Sequence, residues 1–261
     1  MKLSDWTAAH PAPPRQARPK GVEVSYSQIR SYLDCPWLYH LRWQSRWRTP
    51  PTAPSAMGQT IHRTLELFHG GGETLSEARL LELYEESWVN PPDVPAPEVL
   101  KLHAKGVEIL KRYWAEEKDS KSSIEFVEKE FMAPLGVHTV RGIIDRVDRR
   151  PDGSIEVIDY KTHQEVGSEA DAAADLQLRL YAWGVKATWA LEPKWVSWRY
   201  VAAGKTVTVP YDPAGEDELE EFVTRVADIL AANRAFTPDL SFCPRCDFRL
   251  RCDKSPEFKA K

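Results

Sequence analysis

Pro151-Asp152-Gly153 separates two stretches rich in β-branched residues, Val140 to Val147 and Ser154 to Tyr160. Strand-forming runs bounded by turn residues read as a β-hairpin. A three-residue loop that begins as a type I turn takes Pro first and Gly last, where φ becomes positive. With that loop in place Arg150 faces Ser154, and counting back sets Asp145 opposite Asp159. Side chains alternate along a strand, so Lys161 shares the face of Asp159 while Tyr160 points away. The register therefore brings two carboxylates and an ammonium to one spot.

Carboxylates paired across strands, with Cβ atoms about 4.5–5.5 Å apart, repel unless a proton or cation lies between them. Oxygen ligands of this kind suit Mg²⁺ or Mn²⁺, which keep waters for substrate phosphates. A lysine beside such an ion can position the attacking water or neutralise charge on a phosphorane. Asp-x-Lys alone is a common pattern of ordinary salt-bridged surfaces. Asp145 is less ordinary, because it follows Ile143-Ile144 in an apolar run, where an acid is costly unless paired.

The four cysteines form a second constellation: Cys35, then Cys243, Cys246 and Cys252. The stretch Trp6 to Lys20 is rich in Pro, Arg and Ala and lacks the apolar centre of a secretory signal. A cytoplasmic chain is the expectation, and in a reducing compartment clustered cysteines point to metal rather than disulfides. C-x2-C is half of many zinc sites, but the other half here is x5-C plus a cysteine more than 200 residues upstream. Four thiolates equally suit a [4Fe–4S] cluster. Spacing leaves both open.

Elsewhere the pattern reads as α/β. Helices are expected at about 25–47 (broken at Cys35-Pro36), 56–69, 75–89 and 97–118, and strands at 124–132, 138–149 and 154–161. A helix at 171–189, strands near 194–201 and 205–210, and a helix at 215–234 complete the series. No apolar run approaches 18 residues, so no membrane span is expected. The reading gives a Pro/Arg-rich tail over 1–24 and one domain over 25–261. Within it lie a helical part (25–118), a core (119–236) and a cysteine segment (237–254).

On the 56–69 helix Met57, Ile61, Leu65 and Phe68 form the apolar stripe. His62 shares a neighbouring face with Glu66, which could orient it or be a solvated charge. Gln177 and Tyr181 share one face of their helix. Glu130 could reach the acids or remain an edge charge. The net charge is −4, yet residues 1–50 hold eight Lys/Arg against three acids and 241–261 six against three. The two basic ends carry the cysteines, so joining them would gather positive surface suited to phosphates. Trp37, Trp43 and Trp47 alternate there with Arg42, Arg46 and Arg48. Such rings stack on single-stranded bases, although packing is the expectation for Trp37 and Trp43.

Taken together the motifs resemble a RecB-type nuclease of the PD-(D/E)xK superfamily. The likeness is to its iron–sulfur branch, which includes the AddB nuclease domain and the CRISPR-associated RecB-like exonucleases. SYSQIRSYLDCP (25–36), MGQTIH (57–62), EFMAPLGVHTVRGIIDRVD (130–148), VIDYKT (157–162), DLQLRLYAWG (175–184) and CPRCDFRLRC (243–252) carry the likeness, in the family's order. The superfamily's nominal proline before the first acid is Ile144 here.

The resemblance implies a restriction-endonuclease-like α/β core, a mixed central sheet flanked by helices. It implies Asp145, Asp159 and His62 as ligands of Mg²⁺ or Mn²⁺, Lys161 as the catalytic lysine, and Gln177 and Tyr181 lining the active site. Cys35, Cys243, Cys246 and Cys252 would hold a [4Fe–4S] cluster. The implied function is a single-strand-preferring DNA exonuclease of repair or recombination. No G-x-x-x-x-G-K-[ST] motif appears, so it would work without ATP or as the nuclease subunit beside a helicase or recombination partner. The competing reading is a non-catalytic cysteine-metal DNA-binding module.

Overall fold

The structure, a computed structural model, describes residues 2–11, 21–72, 75–232 and 236–259. In chain order the elements are α1 (Leu3–Ala9), β1 (Glu23–Ser25), α2 (Tyr26–Asp34), α3 (Pro36–Tyr39), α4 (Ala53–Gly70), α5 (Glu77–Ser87) and α6 (Ala96–Glu117). The strands β2 (Ser123–Leu135), β3 (His138–Arg149) and β4 (Ile155–Lys161) follow. Then come α7 (Glu169–Ala173), α8 (Leu176–Trp189), β5 (Pro193–Tyr200), β6 (Lys205–Pro210) and α9 (Glu216–Ala231). Among the described residues no helix is long and apolar enough to cross a membrane.

Contacts divide the chain into two compact units: Met1–Pro50 with Met132–Arg141 and Ala214–Lys261, and Pro51–Phe131 with Gly142–Pro213. The second unit holds most of a mixed sheet. β3 and β4 are antiparallel, β4 and β5 parallel, β5 and β6 antiparallel, and β2 pairs with β3. This is the expected mixed sheet with flanking helices. The apolar stripes of α4, α5 and α6 close over it through Ile61, Leu65, Phe68, Leu80, Tyr84, Leu110 and Tyr113, which pack with Ile158 and Tyr160 of β4.

The hairpin has the expected register. Gly153 takes φ +81°, its N–H donates to the Arg150 carbonyl at 2.8 Å, and Arg150 N–H donates to Ser154 O at 2.9 Å. The ladder pairs Arg149 with Ile155, Val147 with Val157 and Arg146 with Ile158. One step further Asp145 leaves the ladder, and its carboxylate accepts the Tyr160 N–H at 2.7 Å.

Two expectations need correction. Residues 1–24 are not wholly a tail: α1 buries Leu3 and Thr7 and sets Trp6 edge-on to Phe222 of α9 at 5.0 Å. Seven residues are too short to be helical alone, and this packing within the first unit supplies what local propensity does not. Residues 12–20 of the expected tail, and 233–235 beside the expected end of the last helix, lie outside the described residues. The single helix expected over 171–189 is two, because the Asp175 side chain turns to accept the Leu178 N–H at 2.8 Å and starts α8 afresh.

In the first unit β1 runs parallel to Thr139–Arg141 of β3, and Ser25 opens α2 with a capping box to Gln28. Cys35 ends α2 and Pro36 begins α3.

Candidate active site

Three strands and two helices of the second unit meet at the open end of the hairpin. β4 supplies Asp159 and Lys161 on one face, with Lys161 Nζ 2.5 Å from Asp159 Oδ2. That oxygen is buried and, despite the ion pair, has no hydrogen bond of proper geometry. α8 comes over the pair: Gln177 Oε1 accepts from Lys161 Nζ at 3.2 Å, and Gln177 Nε2 donates to the Tyr181 hydroxyl at 3.2 Å. The amide is thereby fixed in one sense, and the ammonium is held between Asp159 and Gln177.

α4 brings His62 to the same place. Its Nδ1 lies 3.6 Å from Asp145 Oδ2 and 3.7 Å from Glu128 Oε1. The three donor atoms lie within 4.8 Å of one another, the spacing of a metal-ligand set. All are hard or intermediate donors, so the set fits Mg²⁺ or Mn²⁺. The electrostatics agree. Burial, reinforced by Asp159 and Glu128, pushes the Asp145 carboxyl up to about 7, against the opposing pull of His62 and the Tyr160 N–H. Burial also raises Asp159 in spite of Lys161. Burial lowers His62, but the Glu128 hydrogen bond and the charges of Asp145, Glu128 and Asp159 outweigh it and raise it overall. Crowded carboxylates that hold their protons this firmly are relieved by a cation.

The structure brings His62, Asp145, Asp159, Lys161, Gln177 and Tyr181 together in one place. Glu128 was not foreseen. Its neighbour Glu130 is exposed, whereas Glu128 adopts φ +42° in the middle of β2. That left-handed backbone breaks the alternation of the strand and aims the carboxylate at His62. Strain of this kind, roughly 1–3 kcal/mol, gathers at functional sites. Glu66 pairs with Arg63 at 2.6 Å and is an ordinary helix-surface charge.

The other face of the hairpin holds a buried charged network. Arg146 is 1% exposed and makes a two-pronged bond to Asp148 at 2.6 and 2.7 Å. It also donates to Glu117 at 2.6 Å and to the Tyr113 hydroxyl at 3.2 Å, and that hydroxyl lies 3.1 Å from Tyr160 Oη. Arg199 reaches the other Glu117 oxygen at 2.5 Å. Two guanidiniums and two carboxylates balance, and Tyr160, whose N–H holds Asp145, is anchored among them.

In the first unit Cys35, Cys243 and Cys252 are buried, Cys246 is half-buried, and all four line one cavity. Asp239 N–H donates to Cys35 Sγ at 3.2 Å. Among the described residues no three of the sulfurs fall within 4.8 Å of one another. Leu38, Leu41 and Phe248 enclose the site. Basic groups surround it on aromatic faces: Arg251 over Trp47 at 4.9 Å, Lys254 over Trp37 at 5.6 Å and Arg42 over Phe248 at 5.7 Å. Trp37 stacks on His40 at 4.5 Å, as packing requires. Trp43 departs from that expectation and is 38% exposed.

Residues 23–253 match the PD-(D/E)XK nuclease superfamily. Among solved structures, a putative exonuclease from Eubacterium rectale aligns with a TM-score of 0.51 and 12% identity, over 94% of this chain and 91% of that one. That likeness concerns the fold. SSO0001 aligns at TM-score 0.36 and 13% identity, over 87% and 93% of the two chains. Among curated proteins no sequence matches the chain.

Proposed function

The chain belongs to the PD-(D/E)XK nuclease superfamily, and from that premise we propose that it is a metal-dependent deoxyribonuclease that degrades single-stranded DNA from an end. The convergence of His62, Glu128, Asp145, Asp159 and Lys161 carries the reading. His62 Nδ1, Asp145 and Asp159 would hold Mg²⁺ or Mn²⁺, with Glu128 completing the set. Held by these residues, a divalent ion would supply Lewis-acid chemistry, lowering the pKa of water and polarising a phosphate oxygen. Lys161 sets a positive charge where the phosphorane gains negative charge, and Gln177 keeps that ammonium from swinging away. Tyr181 in turn fixes Gln177.

The four thiols are proposed as the seat of a [4Fe–4S] cluster. Tetrahedral zinc with Zn–S near 2.3 Å needs sulfurs about 3.8 Å apart. Among the described residues no three of the sulfurs lie within 4.8 Å of one another, a spread that suits a larger group. The surrounding cations, with exposed Trp43, suit the backbone and bases of a single strand. Work in repair or recombination beside a separate helicase belongs to the same proposal.

The test is an end-labelled oligonucleotide, single- or double-stranded, incubated with Mg²⁺ or Mn²⁺. Stepwise shortening of the single strand is expected, with none in EDTA and none by Asp159→Ala. A non-catalytic binding module would instead show equal, negligible turnover in both proteins.

A further inference from the structure

Next to the site, within the second unit, lies a cavity of about 280 Å³ whose role the reaction does not explain. Met57, Leu102 and Ile109 form an apolar floor, and Thr162, His163 and Lys105 stand around it. Its position follows from two elements that also build the active site. β4 delivers Asp159 and Lys161, and the residues that leave the strand, Thr162 to Gln164, become the cavity wall. On α4 Met57 lines the cavity and His62 follows five residues on, a rise of about 7.5 Å along the axis. The elements touch there: a Cβ on Gly58 would sit 3.1 Å from Thr162 Oγ1. The cavity therefore shares α4 and the end of β4 with the candidate site.

Its chemistry is that of a nucleotide. Met57 and Ile109 are buried, and a thioether with aliphatic groups forms a surface suited to the face of an aromatic ring. Lys105 at the rim is exposed, and among the described residues its ammonium forms no ion pair, so it can meet a phosphate. Gln164 spends an N–H on the Ala202 carbonyl at 2.7 Å and keeps its oxygen as an acceptor for a base edge. The volume is small for a ligand site and suits one nucleoside. A paired base would have to bring its partner with it.

We propose that this cavity is a subsite for one unpaired nucleobase of the substrate strand, adjacent to the scissile phosphate, with Lys105 on the flanking phosphate. The subsite rests on the nuclease reading and deepens it: the need to seat an unpaired base is what restricts that activity to single strands.

A set of single-stranded oligonucleotides, each with one abasic residue at a different distance from the labelled end, tests it. With the wild-type protein one position should raise KM about tenfold with little change in kcat, the stacking value of a single base. Leu102→Trp fills the cavity. It should raise KM about tenfold on the unmodified strand and abolish the extra penalty at the abasic position, since the two changes remove one interaction. Lys105→Ala, at an exposed position that the fold does not need, should raise KM several-fold and shallow its salt dependence. An even abasic profile, or wild-type KM in both variants while the wild type cleaves, overturns the subsite and leaves the nuclease reading standing. A wild-type protein that cleaves no DNA under any metal overturns both. If Leu102→Trp does not fold, the abasic profile and Lys105→Ala decide the matter alone.

Discussion

At the scale of single residues, what matters is how few atoms separate a metal site from a surface hairpin. On the proposed function Asp145, Asp159 and Lys161 would act on one phosphate, so we expect alanine at any of them to reduce kcat to background. Double variants should be no worse than singles, because one unit cannot be lost twice; additive losses in single-turnover assays would refute this. For Glu128→Gln we expect the Mn²⁺ concentration for half-maximal rate to rise about tenfold with kcat at saturating metal largely kept, the scale seen for groups that support metal sites. The acids of the hairpin are legible in the sequence because turn type and strand alternation fix two points of its register. Glu128 is not. Buried Phe131, Ala133 and Leu135 mark the alternation of β2, and a local φ of +42° at Glu128 cannot be counted from residue identities.

Among the elements, the placement of α8 depends on a ring and two glycines. A Cβ on Gly142 of β3 would lie 2.4 Å from the Phe131 ring, and one on Gly184 of α8 would lie 2.5 Å from it. The absence of both lets Phe131 sit between strand and helix, with Tyr181 edge-on at 6.1 Å, and so lets Gln177 reach Lys161. Gly142→Ala should cost about 1–3 kcal/mol by overpacking and depress kcat more than metal affinity. Adding Phe131→Leu should restore part of both; if it restores neither, the glycine acts otherwise. The buried network beneath makes a separate prediction. Burial, aided by the Arg146 charge, holds His69 down at about 3 from an ordinary 6.5. Below pH 6.5 the unfolded chain takes up a proton that the folded one refuses, so stability falls as pH drops from 6.5 toward 3. Denaturant unfolding should lose roughly 2–3 kcal/mol from this group between pH 6.5 and 4.5. His69→Gln should flatten that part of the slope, and an unchanged slope would count against it. Alternation shows that Arg146 and Asp148 share a face, but not that Glu117, 29 residues from Arg146, completes the charge balance.

At the scale of the whole molecule, the first unit is assembled from three separate stretches of chain, and the cysteines of the first and last stretches line one cavity. Cys35 and Cys243 enclose a loop of some two hundred residues, so a group bound to both removes much freedom from the unfolded chain. Its bond strengths add to that. Anaerobically prepared protein should be brown, with about four irons and four sulfides per chain. Cys252→Ala should be colourless, less soluble and lower in Tm. One zinc per chain in a colourless, fully active protein would reject the cluster. The C-x2-C-x5-C spacing suggests a metal motif; which metal it would suit is not legible, because that depends on how far apart the chain holds its sulfurs.

Strand β4 presents a different partner on each side. Asp159 and Lys161 face the candidate site, while Ile158 packs into the core and the Tyr160 hydroxyl joins the buried tyrosine and arginine network. A slip of one residue would swap the two sets, stranding a carboxylate and an ammonium in oil and turning the tyrosine out to water. A chain in the slipped register would therefore hold neither the candidate site nor the buried network. The step that completes the interior of this unit is thus the step that brings the side chains of the candidate site together.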